Sequence, residues 1–490
     1  MALLHSFWFD PAKKSFAKVL EHDPECGMAH WGIAIVSLGN PFAWPPNPNA
    51  MKAGAAAMAE AQRVGAKTER ERDYISALAE LFRDWETTEY RPRAVAFEKA
   101  MEGVAARHPE DDEARILHAL LLTVTALPTD KTFANQLKAA GILEPLFNKY
   151  PNHPGVAHYL IHTYYYAELA EKGLPAARAY AGIAPSVPHA LHMPSHIFSR
   201  LGLWREMVEG NRASYLAAKS ELAEQTLGVG TYDALHAMDY LVFVHLQQAQ
   251  DKAARKLVDE VSAMRKVNVE NFVAAYAFAA IPSRIVLEHG DWKRAASLQL
   301  SPRELAWDKF PQAEVVLVFA RGLGAARSGN VAAAHKDIER LKALKDAMAA
   351  AKNSYWAEQT AFQITTIKAW IAFTEQRPDE ALQLMRAAAE AEEASDKHPV
   401  TPGNVVPSRE LLGEMLLELR RPEQALAEFE RSLKRDPNRF RGIYGAARAA
   451  EASGNRQVAR EYYTKLLTLT ANRDTERPEL AQATVFLARQ

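Results

Sequence analysis

Histidine residues are concentrated in one stretch of this chain. The sequence holds 16 histidines, and eight of them lie between residues 153 and 245, where an even spread over 490 residues would put about three. His158 and His162 are four residues apart, which places both imidazoles on one face of a helix, close enough to share an ion. Neutral imidazole is a good ligand for zinc, copper, nickel and ferrous iron. The spacing therefore points to metal chemistry.

A second histidine-rich element follows, Pro188-His-Ala-Leu-His-Met-Pro-Ser-His196. Because proline disfavours helix at the residue before it and suits the first helical position, Pro194 predicts a new helix. His189 and His192 then belong to the preceding turn or helix end, and His196 to the first turn of the new helix. Further along, His236 and Asp239 are three residues apart and share one helical face.

These residues give a candidate site. We expect metal ligands among His158, His162, His192, His196, His236 and Asp239. Candidates for substrate binding are His189, Tyr164, Arg409 and Glu410. No catalytic residue is assigned. Ligand type does not decide the cofactor, so a divalent zinc or copper ion is expected, with iron as a further alternative.

Simpler explanations stand beside this hypothesis. A histidine on an apolar helix face is usually a hydrogen-bonded packing residue, and an HxxxH pair without the glutamate of HExxH often arises by chance. A histidine-lined groove that binds a ligand without metal is also open. The conjunction of HxxxH, HxxHxxxH and HxxD within 93 residues favours a real site.

Composition excludes several function classes. Lys and Arg number 59 against 60 Asp and Glu, so no overall basic field exists to hold a nucleic acid, and no polybasic cluster suggests a membrane surface. No apolar run is long enough for a membrane span. The single cysteine, Cys26, excludes an internal disulfide and any multi-cysteine metal site. Motifs for serine hydrolases, P-loops and dinucleotide binding are missing.

Helices must position these side chains. Apolar residues recur at three- and four-residue spacing, broken by Pro, Gly or Asn, which predicts an all-α protein of short amphipathic helices. Near the C-terminus, positions Leu412, Gly413, Leu416, Ala425 and Phe429 recur 34 residues later as Ala446, Ala447, Ala450, Ala459 and Tyr463. This is the spacing of the tetratricopeptide repeat (TPR), whose helical hairpins stack into a right-handed superhelix, an α-solenoid. An irregular helical bundle is the alternative.

The sequence divides into five predicted segments: a TPR-like unit at 1–40, helical repeats at 41–150, the histidine-rich repeats at 151–250, degenerate repeats at 251–398 and a C-terminal TPR pair at 408–490. Two proline-rich loops interrupt the array, at 40–49 and 399–407. Each is either a plain connector or, for the first loop with its two aromatic residues, the rim of a pocket.

The elements LLHSFWF, HYLIH and HALHMPSHIF, beginning at Leu3, His158 and His189, resemble a bacterial family of TPR-containing proteins without an assigned activity. The resemblance covers nearly the whole chain and implies the solenoid fold but no reaction. Relatives carry an acidic Asp-Asp-Pro element where this chain has Tyr165-Tyr166-Ala167. They also have a further helical stretch, often after an export signal, so a trimmed N-terminus is expected here. Localisation is then cytoplasmic as written, or periplasmic or secreted if a signal has been removed.

Three functions compete at this point. The first is a metal-dependent enzyme acting on a small polar substrate, through a metal-activated water as in hydrolases and lyases, or by metal redox chemistry. The second is a TPR scaffold that binds a peptide or protein partner in its concave groove without catalysis. The third is metal storage or sensing without turnover. No nucleic acid and no membrane are expected as partners, and a homo-oligomer is an open alternative.

Overall fold

A computed structural model describes residues 1–220 and 229–489. The chain forms two compact units, Met1–Ile197 and Phe198–Gln490, which we call the N-terminal and C-terminal units. Helices dominate both, and the described residues contain only one pair of very short strands. The prediction of an all-α protein built from TPR-like helical repeats is therefore confirmed. In the described ranges, no helix combines the length and the apolar character that crossing a membrane requires.

The helices of the N-terminal unit are α1 (Ala2–His5), α2 (Phe9–His22), α3 (Gly27–Ser37), α4 (Pro48–Val64), α5 (Glu69–Phe82), α6 (Tyr90–Arg107), α7 (Asp112–Thr125), α8 (Ala134–Lys149), α9 (Pro154–Tyr164), α10 (Ala170–Ile183), α11 (Pro188–His192) and the beginning of α12 (Pro194–Leu201). A 3₁₀ helix spans Pro41–Ala43. Consecutive helices joined by short turns pack against each other.

The C-terminal unit contains α13 (Trp204–Ser220), α14 (Tyr232–Gln247), α15 (Asp251–Ala263), α16 (Phe272–Glu288), α17 (Trp292–Ala295), α18 (Pro311–Arg327), α19 (Val331–Ala350), α20 (Ser354–Thr374), α21 (Pro378–Glu393), α22 (Ser408–Glu418), α23 (Pro422–Arg435), α24 (Phe440–Ala452), α25 (Arg456–Leu469) and α26 (Pro478–Ala488). A 3₁₀ helix spans Trp307–Lys309. Strands β1 (Val229–Gly230) and β2 (Lys266–Val267) pair in parallel.

Prolines and capping side chains in the sequence mark where the helices begin. Proline occupies the first turn of many helices, where its missing N–H costs no hydrogen bond. Examples are Pro48, Pro154, Pro188, Pro311, Pro378, Pro422 and Pro478. Elsewhere a side chain caps the first turn by accepting a backbone N–H. Thr68 and Glu71 form a complete capping box at α5, and Asn271 accepts from the N–H of Ala274 at α16. Local chemistry thus decides where each repeat helix begins.

The 34-residue repeat has a packing reason in helices α22–α25. Phe429 is buried, and both Gly413 and Gly445 lie against its ring. A Cβ atom at Gly413 would lie 2.7 Å from that ring, closer than carbon atoms can approach. In the next repeat Tyr463 takes the position of Phe429 and is equally buried. A small residue is therefore required at the position of Gly413, because the aromatic ring of the following helix, α23, occupies the space that a side chain would fill.

This packing predicts the effect of filling the space. We expect Gly413→Val to destabilise the protein by about 1–3 kcal/mol, since the added methyl groups force the Phe429 ring out of its position. Gly141→Ala is the control, because a Cβ there meets no atom within 4 Å and removing a helical glycine stabilises by about 0.5–1 kcal/mol. Urea unfolding measures both, and equal midpoints for the two variants would contradict the packing argument.

Candidate metal centre

Three imidazoles converge in the N-terminal unit. His158 and His162 lie one turn apart on α9, and His189 lies on α11. The Nε2 atom of His158 is 3.1 Å from Nε2 of His162 and 3.2 Å from Nε2 of His189. One nitrogen from each ring lies within 4.8 Å of the other two. We call these three residues the histidine trio.

Local sequence features bring the two helices into position. Pro154 and Pro188 start α9 and α11, so each histidine has a fixed place in its helix. The next helix, α12, begins at Pro194, as the sequence predicts. Gly155 matters for a different reason: a Cβ there would lie 2.5 Å from Nδ1 of His5, so only glycine lets the N-terminal segment pack on α9.

The N-terminal segment also orients one member of the trio. Nδ1 of His158 donates a hydrogen bond to the backbone carbonyl of His5 at 2.6 Å. This bond places the proton on Nδ1 and leaves the Nε2 lone pair of His158 directed at the other two rings. A ring N–H bonded to a backbone carbonyl is the arrangement that usually orients metal-binding histidines.

Aromatic side chains surround the trio. The Phe7 ring lies 4.4 Å from the His158 ring and 5.5 Å from the His189 ring, measured between centroids. Phe42, from the proline-rich loop at 40–49, stacks on His162 at 3.7 Å. Of the two interpretations of that loop, connector or pocket rim, this contact supports the rim. His158 and His162 are buried, whereas His189 is partly exposed, so the trio has one open side.

Burial sets the protonation of these rings. It lowers the pKa of His158 to about 3, even though the carbonyl of His5 favours the protonated form. Burial, and then the charges of the other two rings, hold the pKa of His162 well below its ordinary value. Burial, and then the charges of His158 and His192, also hold the pKa of His189 well below its ordinary value. All three imidazoles are therefore neutral at pH 7, the form that binds metal.

The geometry allows two states. With metal–nitrogen bonds of about 2.0–2.1 Å, tetrahedral coordination separates two ligand nitrogens by roughly 3.3 Å. The separations of 3.1 and 3.2 Å around His158 match that requirement. Without metal, the same distances suit hydrogen bonds in which Nε2–H of His162 and of His189 donate to Nε2 of His158.

His192 and His196 form a separate pair next to the trio. Their Nε2 atoms are 3.2 Å apart, and their rings meet edge to face at 4.9 Å. Both side chains are buried, and the Tyr165 ring lies 6.0 Å from that of His196. The sequence ranks this pair above His189, whereas the structure places His189 with His158 and His162. Metal binding by the pair stays a prediction.

His236 and Asp239 lie on α14 in the C-terminal unit. The His236 ring contacts the Tyr240 ring edge to face at 5.2 Å. Asp239 is fully buried and accepts two hydrogen bonds from the guanidinium of Arg284, at 2.6 and 3.0 Å. The carboxylate of Asp239 thus has a cationic partner within its own unit. The ligand roles of both residues stay predictions.

The remaining substrate-binding candidates have polar partners as well. The hydroxyl of Tyr164 donates to Glu144 at 2.6 Å. At the start of α22, Arg409 pairs with Glu393 at 2.7 Å and also with Glu428, and Glu410 pairs with Arg439 at 2.8 Å. These contacts hold α22 to neighbouring helices, and a role in substrate binding stays a prediction for all three residues.

Sequence reasoning did not include two contributors to this site, His5 and Phe7. They lie about 150 residues before the histidine-rich segment, and no local pattern links the two regions. The resemblance to a TPR family included the LLHSFWF element that contains them, which was the available signal. The structure adds backbone strain at this position, because Phe7 adopts a positive φ of 54°, which is uncommon for an aromatic residue.

Comparison with known proteins gives one sequence match. Residues 406–439, in α22 and α23, match the tetratricopeptide repeat family. The match confirms that the chain carries a TPR, and it covers one repeat only. Bacterial origin and the motif elements of the resemblance stay predictions. No curated protein sequence matches the chain.

Several solved structures align over most of the chain. The human IFIT1 dimer with m7Gppp-AAAA is 13% identical, with 94% of this chain and 95% of that one covered and a TM-score of 0.39. A monomeric mutant of IFIT1 with Gppp-AAAA is 14% identical, with the same coverage and a TM-score of 0.42. The APC/C hetero-tetramer Cut9-Hcn1 is 12% identical, with 99% and 94% covered and a TM-score of 0.33. Likenesses this low carry no argument about ligands, and the expectation that no nucleic acid binds stays a prediction.

The low pKa values of the trio predict how the metal-free protein responds to acid. The unfolded chain takes up protons on these histidines below about pH 6.5, whereas folded His158 resists protonation down to about pH 3. Unfolding is therefore favoured as pH falls through this window, by up to about 1.4 kcal/mol per pH unit for each histidine. Above pH 6.5 the trio contributes no pH dependence.

Urea unfolding of metal-free protein at pH 7.5 and pH 5.0 measures this effect. We expect a lower midpoint at pH 5.0 for the native sequence and a smaller drop for His162→Phe, which removes one titrating ring from the aromatic pocket. The same drop in both proteins would show that His162 titrates like an exposed imidazole.

Proposed function

We propose that this protein is a TPR-containing helical-repeat protein with a metal centre, in which His158, His162 and His189 bind one divalent transition-metal ion. One observation supports the proposal above others: Nε2 of His158 lies 3.1 Å from Nε2 of His162 and 3.2 Å from Nε2 of His189, close to the separation that tetrahedral coordination needs. Three neutral imidazoles leave a fourth position for water or substrate, as in catalytic rather than structural zinc sites.

The ion would supply Lewis-acid chemistry, polarising a carbonyl or activating a water if it is zinc, or electron transfer if it is copper or iron. Hydrolase or lyase chemistry on a small polar substrate is the form we prefer. The partly exposed side of His189 is where such a substrate would approach, since His158 and His162 are buried.

The chain's own residues have defined tasks in this proposal. The carbonyl of His5 keeps the proton of His158 on Nδ1 and so keeps its Nε2 lone pair available. Phe42 fixes the plane of the His162 ring by stacking, and Phe7 contacts all three rings. Together these aromatic side chains exclude water, which strengthens electrostatic interactions inside the pocket.

Metal analysis tests the proposal directly. Protein purified without a histidine tag and equilibrated with Zn²⁺ should retain a tightly bound ion that both His162→Phe and His189→Ala lose, with at least a tenfold weaker affinity. His335→Ala is the matched control, because His335 is an exposed histidine on α19 and should leave binding unchanged. Circular dichroism confirms that each variant is folded. Tight Zn²⁺ binding that survives both trio substitutions would overturn the proposal.

The alternative function is partner binding without catalysis, which the sequence comparison supports better than it supports an enzyme. The TPR match at 406–439 favours it, because TPR hairpins commonly bind extended peptides or partner helices. In the same C-terminal region an open groove is lined by Arg460, Glu461, Thr464, Lys465 and Thr468. Charged side chains of both signs on a largely apolar lining would suit a peptide that carries apolar residues together with charges of both signs.

Charge reversal within this groove tests the second candidate. If the groove binds a peptide partner, Arg460→Glu with Lys465→Glu should abolish capture of peptides from a random-sequence display library, whereas His162→Phe should not affect it. Library peptides that bind the native protein and the double variant equally would exclude this groove as the binding site.

A further inference from the structure

A second group of metal-binding side chains lies in the N-terminal unit, outside the trio. His5 belongs to α1, Glu113 to the first turn of α7, and His153 precedes α9. Nε2 of His5 is 2.9 Å from one carboxylate oxygen of Glu113, and Nε2 of His153 is 3.1 Å from the other. Three elements that are distant in sequence thus place two imidazoles on one carboxylate.

The donor set has a recognisable coordination chemistry. One ligand atom from each of the three residues lies within 4.8 Å of the others. Two histidines and one carboxylate are the ligands of catalytic zinc sites and of non-haem ferrous sites, where the other positions hold water or substrate. The His5 side chain is 1% exposed, whereas those of Glu113 and His153 are 33% and 21% exposed, so solvent reaches Glu113 and His153.

We propose that His5, Glu113 and His153 form a second divalent-metal site, accessible to solvent and distinct from the trio. The ligand is a zinc-like or ferrous-like ion that keeps water in its remaining positions. This inference does not depend on metal binding by the trio.

The charge of the group fits a cation. Burial opposes ionisation of Glu113, but hydrogen bonds from His153 and His5 outweigh it and hold its pKa well below the ordinary value. Glu113 is therefore a carboxylate at pH 7. The ring of His5 also has an orienting partner, since its Nδ1 lies 2.9 Å from the hydroxyl of Tyr159.

The second site should bind more weakly than the trio. Nδ1 of His153 accepts the N–H of Val156 at 3.3 Å, capping α9, which leaves the proton on Nε2. Coordination through Nε2 must move that proton and sacrifice the capping bond. In the trio, His158 already carries its proton on Nδ1, and only the two rings that donate to it, those of His162 and His189, must move a proton from Nε2.

Equilibrium dialysis of the full chain against Zn²⁺ tests this inference. We expect two equivalents in the native protein, one tight and one at least tenfold weaker. His153→Asn and Glu113→Gln should each lose the weak equivalent and retain the tight one. Asparagine at position 153 can still cap α9, and glutamine keeps the shape of Glu113, so both variants should stay folded.

The control is His108→Ala. His108 lies 2.9 Å from Asp73 as a partly exposed histidine–carboxylate pair without a third ligand, and its loss should leave both equivalents unchanged. Retention of the weak equivalent in His153→Asn and Glu113→Gln would overturn the second site. The trio has its own readout, because His162→Phe removes only the tight equivalent, so failure of either proposal is distinguishable from failure of the other.

Discussion

Burial of neighbouring imidazoles is the constraint on which the N-terminal unit depends. A buried imidazole has two ring nitrogens, and each needs a partner because an aromatic environment offers none. His158 meets this requirement with the carbonyl of His5 on one side and with His162 and His189 on the other. Burial disfavours the charged form of each ring, and protonating two rings would place like charges about 3 Å apart, so the cluster stays neutral.

The C-terminal unit satisfies its buried polar groups differently. There, opposite charges neutralise each other: Arg284 binds Asp239 and also donates to Thr401 and to the carbonyl of Gly403. These bonds hold the proline-rich loop at 399–407 against α16. Buried ion pairs of this kind contribute little net stability but make misplacement costly, since breaking one leaves a charge without a partner. The two units therefore differ in how these buried groups are satisfied: neutral imidazoles pair with one another around His158, whereas opposite charges pair around Arg284.

Short-range patterns made much of this predictable. The spacing of apolar residues and the positions of prolines predicted the helices. The 34-residue recurrence of the positions of Gly413 and Phe429 predicted the repeat, because these two residues contact each other across adjacent helices. The HxxxH spacing likewise placed His158 with His162. Spacing alone could not place His189 beside His158, because the position of the five-residue helix α11 decides which histidine faces α9. Contacts across 153 residues, such as that of His5, leave no local trace in the sequence.

The hydrogen bond from His158 to the carbonyl of His5 has a consequence for biosynthesis. His5 leaves the ribosome 153 residues before its partner, so the nascent chain must hold α1 undocked until α9 has been made. The side chain of Phe7, which follows α1 and contacts His158, stays without its final cover throughout that interval. Assembly of the histidine pocket is thus a late event, because it requires that α9 and α11 have both been synthesised.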